Sequence, residues 1–92
     1  PVSVVGTGMG ADNTEIAVIE LCAVVDDPLM IRCGSSGALA PECELGELVI
    51  TRASVRLENT SLAYVCPGFP AVADTEVVLA LAQAADELGA LW

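Results

Sequence analysis

The residues of this chain with the clearest chemical potential are Arg32 and the small residues after it, Gly-Ser-Ser-Gly at positions 34–37. The arginine guanidinium carries a fixed charge and a planar fork of N–H donors that matches phosphate oxygens. Glycines let backbone N–H groups converge on an anion, and serine hydroxyls add rotatable donors. These residues predict an anion-binding turn, although a connecting turn with Arg32 paired to Asp26 or Asp27 accounts for them equally well.

The elements before this turn are typical of a βαβ unit. Residues 2–5 form a short β-branched run that ends in a glycine loop at 6–10, and residues 29–33 form a second apolar run. Between them, a helix is predicted from the capping residues at 12–15 to Val25, apolar nearly all round except for Glu20 and therefore buried on most sides. The two strands would be parallel, so both glycine loops would lie at the same sheet edge, where ligands bind in open α/β sheets.

The first glycine loop also allows a dinucleotide site. Residues 6–11 fit the pattern G-x-G-x-x-A after a strand and before a helix. Dinucleotide-binding units of this type normally have an acidic residue at the end of the second strand, where it binds the ribose, whereas this chain has Arg32 there. Binding of a nicotinamide cofactor is therefore the weaker alternative.

The second half of the chain predicts one long strand and one helix. Residues 48–58 alternate between an apolar face and a face that turns polar at Arg52, and Arg52 and Arg56 favour a solvated or interface face. Residues 59–73 read as an ordered loop. A helix should start at Asp74 and Thr75 and end at Leu88, with Gly89 as its C-terminal cap.

Composition excludes several function classes. The chain has 92 residues and a net charge of −10, which argues against nucleic acid and against an anionic membrane surface as partners. It contains no His and no Cys-x-x-Cys, so zinc is not expected, and Cys22 and Cys33 read as buried free thiols of a reducing compartment such as the cytoplasm. No apolar run is long enough to span a membrane. The apolar fraction of 54% exceeds what so small a domain can bury, which predicts an assembling protein or a piece of a longer one.

Taken in order, these segments resemble the nucleoside phosphorylase family, and within it the uridine phosphorylases. The first two segments resemble the family's glycine loop and its phosphate loop. The later ones resemble its following strand, with Glu47 in place of Asp, and the uridine-specific version of the next region. The resemblance rests on residues 5–10 (Val-Gly-Thr-Gly-Met-Gly), 31–38 (Ile-Arg-Cys-Gly-Ser-Ser-Gly-Ala), 46–51, 53–58, 61–62 and 69–74.

The resemblance implies an α/β fold of three α/β/α layers with a mixed central sheet, of which residues 1–92 are a fragment of a single domain. It implies phosphorolysis, in which phosphate attacks C1′ of uridine to give uracil and ribose 1-phosphate. Arg32 and Ser35, helped by the Gly34 backbone, would bind phosphate, and Arg32 would be the catalytic residue that orients the nucleophile.

The same resemblance assigns the nucleoside side of the site. Met9 would lie beside the ribose, and Ser36 and Gly37 would line the sugar and base. No cofactor beyond phosphate and no metal are implied. A homo-oligomer, from dimers up to hexamers, would cover the surplus apolar surface.

Departures from the family leave rivals open. A full member is more than twice as long, and the residues that read uracil and grip the ribose fall outside this segment, so the 92 residues alone should be inactive. A purine nucleoside phosphorylase or a nucleosidase of the same fold remains possible, although a nucleosidase needs no phosphate arginine. A non-catalytic assembly fragment is the alternative of another class.

Overall fold

The computed structural model describes residues 1–92, which fall into two compact units. The first unit comprises Pro1–Cys33 and Glu58–Val65, and the second comprises Gly34–Leu57 and Cys66–Trp92. In chain order the elements are helix α1 (Ala11–Val24), strand β1 (Ala53–Ser54), a 3-10 helix (Thr60–Ala63), strand β2 (Ala71–Val72) and helix α2 (Thr75–Leu88).

Helix α1 of the first unit confirms the helix predicted there. It begins at Ala11 after Gly10, whose φ of 96° turns the chain into the helix in a conformation that suits glycine. Asp12 places an acid in the first turn, where the helix dipole favours negative charge. The helix ends at Val24, Val25 is extended, and Pro28 lies just beyond.

The 3-10 helix belongs to the same unit and packs on the first turns of α1. Thr60 Oγ1 donates a hydrogen bond of 2.5 Å to Asp12 Oδ1, and the Tyr64 hydroxyl donates to Glu15 Oε1. The sequence predicted only a loop over 59–73. The structure shows that these residues contain both the 3-10 helix, which side chains of α1 hold, and strand β2, which pairs with β1.

The sheet of the second unit has two short antiparallel strands. Ala53 pairs with Val72 and Ser54 with Ala71, and the Ala73 N–H donates to the Arg52 carbonyl at 2.9 Å. Beyond β1, Arg56 Nη1 donates to the backbone carbonyls of Cys66 (2.6 Å) and Phe69 (3.0 Å). The arginine thus closes the turn that leads into β2.

Helix α2 confirms the predicted helix at both ends. Its first free N–H groups are capped by Asp74 Oδ1, which accepts from Glu76 N (2.9 Å) and Val77 N (3.1 Å). Gly89 ends the helix in the left-handed region at φ 65°, and the Ala90 N–H returns to the Ala85 carbonyl. Trp92 Nε1 donates to Asp86 Oδ1 at 2.9 Å.

Two strand predictions are wrong for this structure, and a third is confirmed over two residues only. No strand forms over 2–5 or 29–33, so the predicted parallel βαβ pairing is absent, and only residues 53–54 of the predicted strand 48–58 are paired. The physical reason is that a strand exists only through hydrogen bonds to a neighbour, and a parallel sheet also needs cover on both faces. An apolar run in the sequence specifies neither the neighbouring strand nor the segments that cover the sheet.

Burial is the other correction. Helix α1 was expected to be covered on most sides, yet it has no buried residue, and Val24 is 79% exposed. Cys22 and Cys33 are free thiols but exposed. Ala85 is the buried hydrophobic residue, and the chain exposes 8029 Å², against about 5,000 Å² for a compact protein of this mass. None of the helices has the length and apolar character needed to cross a membrane.

Candidate functional site

The first glycine loop, residues 6–10, is held in shape from the first turn of α1. Gly8 and Gly10 both have positive φ, 73° and 96°. Asn13 Nδ2 donates a hydrogen bond of 2.7 Å to the Met9 carbonyl, and Thr14 Oγ1 donates to the Gly10 carbonyl at 3.2 Å. The Met9 side chain itself is 91% exposed. The backbone is therefore fixed while the side chain remains available to a ligand.

Arg32 is exposed and makes no hydrogen bond or ion pair. Neither Asp26 nor Asp27 pairs with it, so the interpretation of Arg32 as a surface partner of these acids is wrong. An unpaired guanidinium keeps all of its donors available to an anion.

The small residues after Arg32 lie in the second unit without regular secondary structure. Gly34, Ser35, Ser36 and Gly37 are exposed, and the two hydroxyls have no hydrogen-bond partner. A Cβ built on Gly37 would meet no atom within 4 Å, so there is open space next to the loop. These four residues present donors and leave room for a ligand.

The six predicted site residues divide between the two units. Met9 and Arg32 belong to the first unit and Gly34 to Gly37 to the second. Their convergence on one phosphate and one nucleoside stays a prediction. The described side chains bring together no group of three or more His, Cys, Asp or Glu able to hold a metal ion.

A groove of about 460 Å³ runs along α1 in the first unit. Residues Val5 to Thr7 form one wall, and the helix forms the other, with Asn13 and Glu20 as polar members of a mainly apolar lining. The run 2–5 was expected to be a strand beside this helix. The groove lies where that strand segment ends.

Sequence reasoning missed three residues that shape this region. Asn13 was read only as part of a helix-start signal, whereas its amide binds the Met9 carbonyl four residues back. Thr60 and Tyr64 were placed in a loop, whereas both donate to α1. The hydrogen bond from Tyr64 to Glu15, with desolvation and the Glu15 charge, raises the pKa of the Tyr64 phenol. The i−4 spacing from Asn13 to Met9 was the one local signal that could have been used.

Comparison with known proteins gives the same assignment as the motifs. The chain is 53% identical over 89 residues to uridine phosphorylase of Thermococcus kodakarensis, covering 97% of this chain and 32% of that protein. It is 44% identical over 90 residues to uridine phosphorylase of Escherichia coli, covering 98% of this chain and 35% of that protein. A guanosine phosphorylase of Halorubrum lacusprofundi is 34% identical over 85 residues, or 92% of this chain and 35% of that protein.

The chain thus spans about a third of the length of the curated relatives it matches. No solved structure matches it. The sequence profile described as the phosphorylase superfamily matches residues 1–91, which include both glycine loops and Arg32. On this match, the chain belongs to the phosphorylase superfamily.

Proposed function

We propose that the protein containing these residues catalyses the phosphorolysis of uridine, giving uracil and ribose 1-phosphate in nucleoside salvage. The observation that carries this proposal is the 53% identity to a uridine phosphorylase over 89 residues. The unpaired Arg32 and the open serine hydroxyls next to it support the phosphate half of the reaction.

Arg32 is the proposed catalytic residue. Its guanidinium binds inorganic phosphate, together with the Ser35 hydroxyl and the Gly34 N–H, and orients one oxygen toward C1′ of the nucleoside. A bond forms between that oxygen and C1′ while the glycosidic C1′–N bond breaks and its electron pair leaves on the uracil. The uracil takes up a proton, which balances the proton that the attacking hydrogen phosphate gives up. Because the transition state is oxocarbenium-like, positioning and electrostatic stabilisation supply most of the rate.

Met9, Ser36 and Gly37 are the proposed nucleoside contacts. The exposed Met9 side chain would pack beside the ribose, and the small residues at 36 and 37 would allow the sugar and base to approach the backbone closely. The reaction would need no cofactor, since phosphate is itself a substrate.

Membership of the family supports an α/β fold. We propose further that residues 1–92 are a fragment of a single three-layer α/β/α domain with a mixed central sheet, completed by the rest of its own chain. The exposed apolar surface of α1 and the groove along it support this proposal, because such surface is normally covered. We also propose that the full-length protein forms a homo-oligomer and is located in the cytoplasm.

The test is uracil release from uridine by the full-length protein, with and without phosphate. Release that requires phosphate supports the proposal. Release without phosphate would indicate a nucleosidase, and a preference for guanosine or inosine would indicate a purine enzyme. A folded protein that cleaves none of these nucleosides would contradict the proposed function and favour a role in assembly only.

A further inference from the structure

We propose that Asn13 is a positioning residue for the nucleoside: it holds the backbone of the glycine loop so that Met9 is presented to the ribose. The proposal rests on the function proposed above. It concerns a side chain that neither the motifs nor the resemblance assigned to the site.

The geometry around Asn13 is specific. Its Nδ2 donates a hydrogen bond to the Met9 carbonyl oxygen, and the 2.7 Å distance is short for a neutral N–H donor. The same amide lies 3.1 Å from the position that a Cβ on Gly8 would take. Glycine suits position 8 because side chains rarely adopt a φ of 73°, and because the Asn13 amide would have to shift by a few tenths of an ångström to admit a Cβ there.

The Asn13 bond restrains the middle of the loop, while the bond from Thr14 Oγ1 to the Gly10 carbonyl restrains its end. Glycine loses more conformational freedom on ordering than any other residue, and positions 6, 8 and 10 are all glycine. One hydrogen bond from the helix to the carbonyl of Met9, midway between Gly8 and Gly10, restricts the segment that contains both positive-φ residues. A loop ordered in advance spends less binding energy on ordering when the ligand arrives.

The first turns of α1, which carry Asn13, are themselves braced. Asp12 accepts from Thr60 of the 3-10 helix and Glu15 accepts from Tyr64 just after it, so the turn of α1 that contains Asn13 is tied to residues 60–64. These contacts join positions 48 and 49 residues apart in sequence. The Asn13 amide therefore lies on a helix turn that is fixed within the first unit.

The experiment compares steady-state kinetics of the full-length protein with those of Asn13→Asp. This change keeps the side-chain shape but removes the donor. Loss of one hydrogen bond predicts a KM for uridine raised about fivefold, within a range of about 2- to 10-fold. The KM for phosphate and the kcat are expected to stay near their wild-type values, because the perturbed loop contacts only the nucleoside.

Gln83→Glu is the matched control. It also converts an amide to a carboxylate on a helix and removes one exposed hydrogen bond, from Gln83 Nε2 to Glu87 Oε1 at 2.8 Å. Its kinetics should match the wild type. Asn13→Ala is the second variant, and it should reproduce the rise in uridine KM because it also removes the donor to the Met9 carbonyl. Circular dichroism melting identifies any variant that fails to fold.

The outcomes separate the two proposals. A uridine KM unchanged in folded Asn13→Asp, or raised together with the phosphate KM, would overturn the positioning role and leave the function standing. If Asn13→Asp does not fold, Asn13→Ala decides in the same way. A wild-type protein that shows no phosphate-dependent uracil release would overturn the function, and this inference with it.

Discussion

On the proposed role of Arg32 in phosphate binding, replacing it by alanine should remove most of that binding while leaving the stability of the protein almost unchanged. The side chain is exposed and has no partner in the structure, so its loss breaks no internal contact, and a change of less than about 0.5 kcal/mol in the free energy of unfolding is expected. The substitution should instead lower kcat/KM for phosphate. Two charge-assisted hydrogen bonds from the guanidinium fork, each at the lower end of about 1.5 kcal/mol, give about 3 kcal/mol, or about 10²-fold in kcat/KM for phosphate.

The assay is phosphate-dependent uracil release by the full-length protein over a range of phosphate concentrations. Arg32→Lys keeps the charge but loses the fork, so it should fall between wild type and Arg32→Ala. Arg52→Ala is the matched control, because it removes the same charge from another of the three arginines and should leave the phosphate KM unchanged. A phosphate KM and kcat in Arg32→Ala equal to wild type would refute the reasoning, and an equal loss in Arg52→Ala would reduce it to an effect of net charge.

Three further predictions concern stability, ionisation and cover. Asp74→Ala removes the cap of α2 and should lower the free energy of unfolding by about 1 kcal/mol in denaturant titrations, while Asp74→Ser should restore most of it. The Glu15 contact raises the pKa of Tyr64, so its contribution to stability should be complete below about pH 10 and be lost as pH rises through the higher folded pKa; a difference between wild type and Tyr64→Phe that grows above this pH would contradict the assignment. Cys22 is exposed here, but the rest of the chain is proposed to cover α1. Mass spectrometry should therefore show that Cys22 reacts with iodoacetamide far more slowly in the native full-length protein than in the unfolded one. Equal reaction rates would refute the proposed cover.

The two helices could be predicted because their signals are local. Asp74 and Gly89 lie at the ends of α2 and act on backbone groups within five residues of themselves. Helix α1 was predicted from its capping residues at 12–15. Its apolar residues on nearly every side predicted burial, but they do not specify which part of the protein covers them. The strands could not be predicted in the same way, since pairing depends on a neighbour elsewhere in the chain. Ala53 finds its partner at Val72, and no pattern within residues 48–58 specifies that register.

The candidate site divides along the same line. Arg32 and the glycines could be predicted as anion-binding residues because their residue types alone fit an anion, and that role stays a prediction. Thr60 and Tyr64 were missed because a threonine and a tyrosine in a loop carry no chemical signal until their partners, Asp12 and Glu15, are known. The sequence therefore predicts which groups can bind and omits the groups that keep them in place.

The two loops of the proposed site depend on different parts of the protein. The nucleoside loop is held within its own unit, because Asn13 fixes the Met9 carbonyl and the 3-10 helix braces the first turns of α1. The run 29–33, which contains Arg32, has no partner strand, and the proposed completed sheet would set the direction of the Arg32 guanidinium. On the proposed function, catalysis by positioning needs phosphate and nucleoside held together, so we expect the proposed phosphate half of the site to depend more on the rest of the chain than the proposed nucleoside half does.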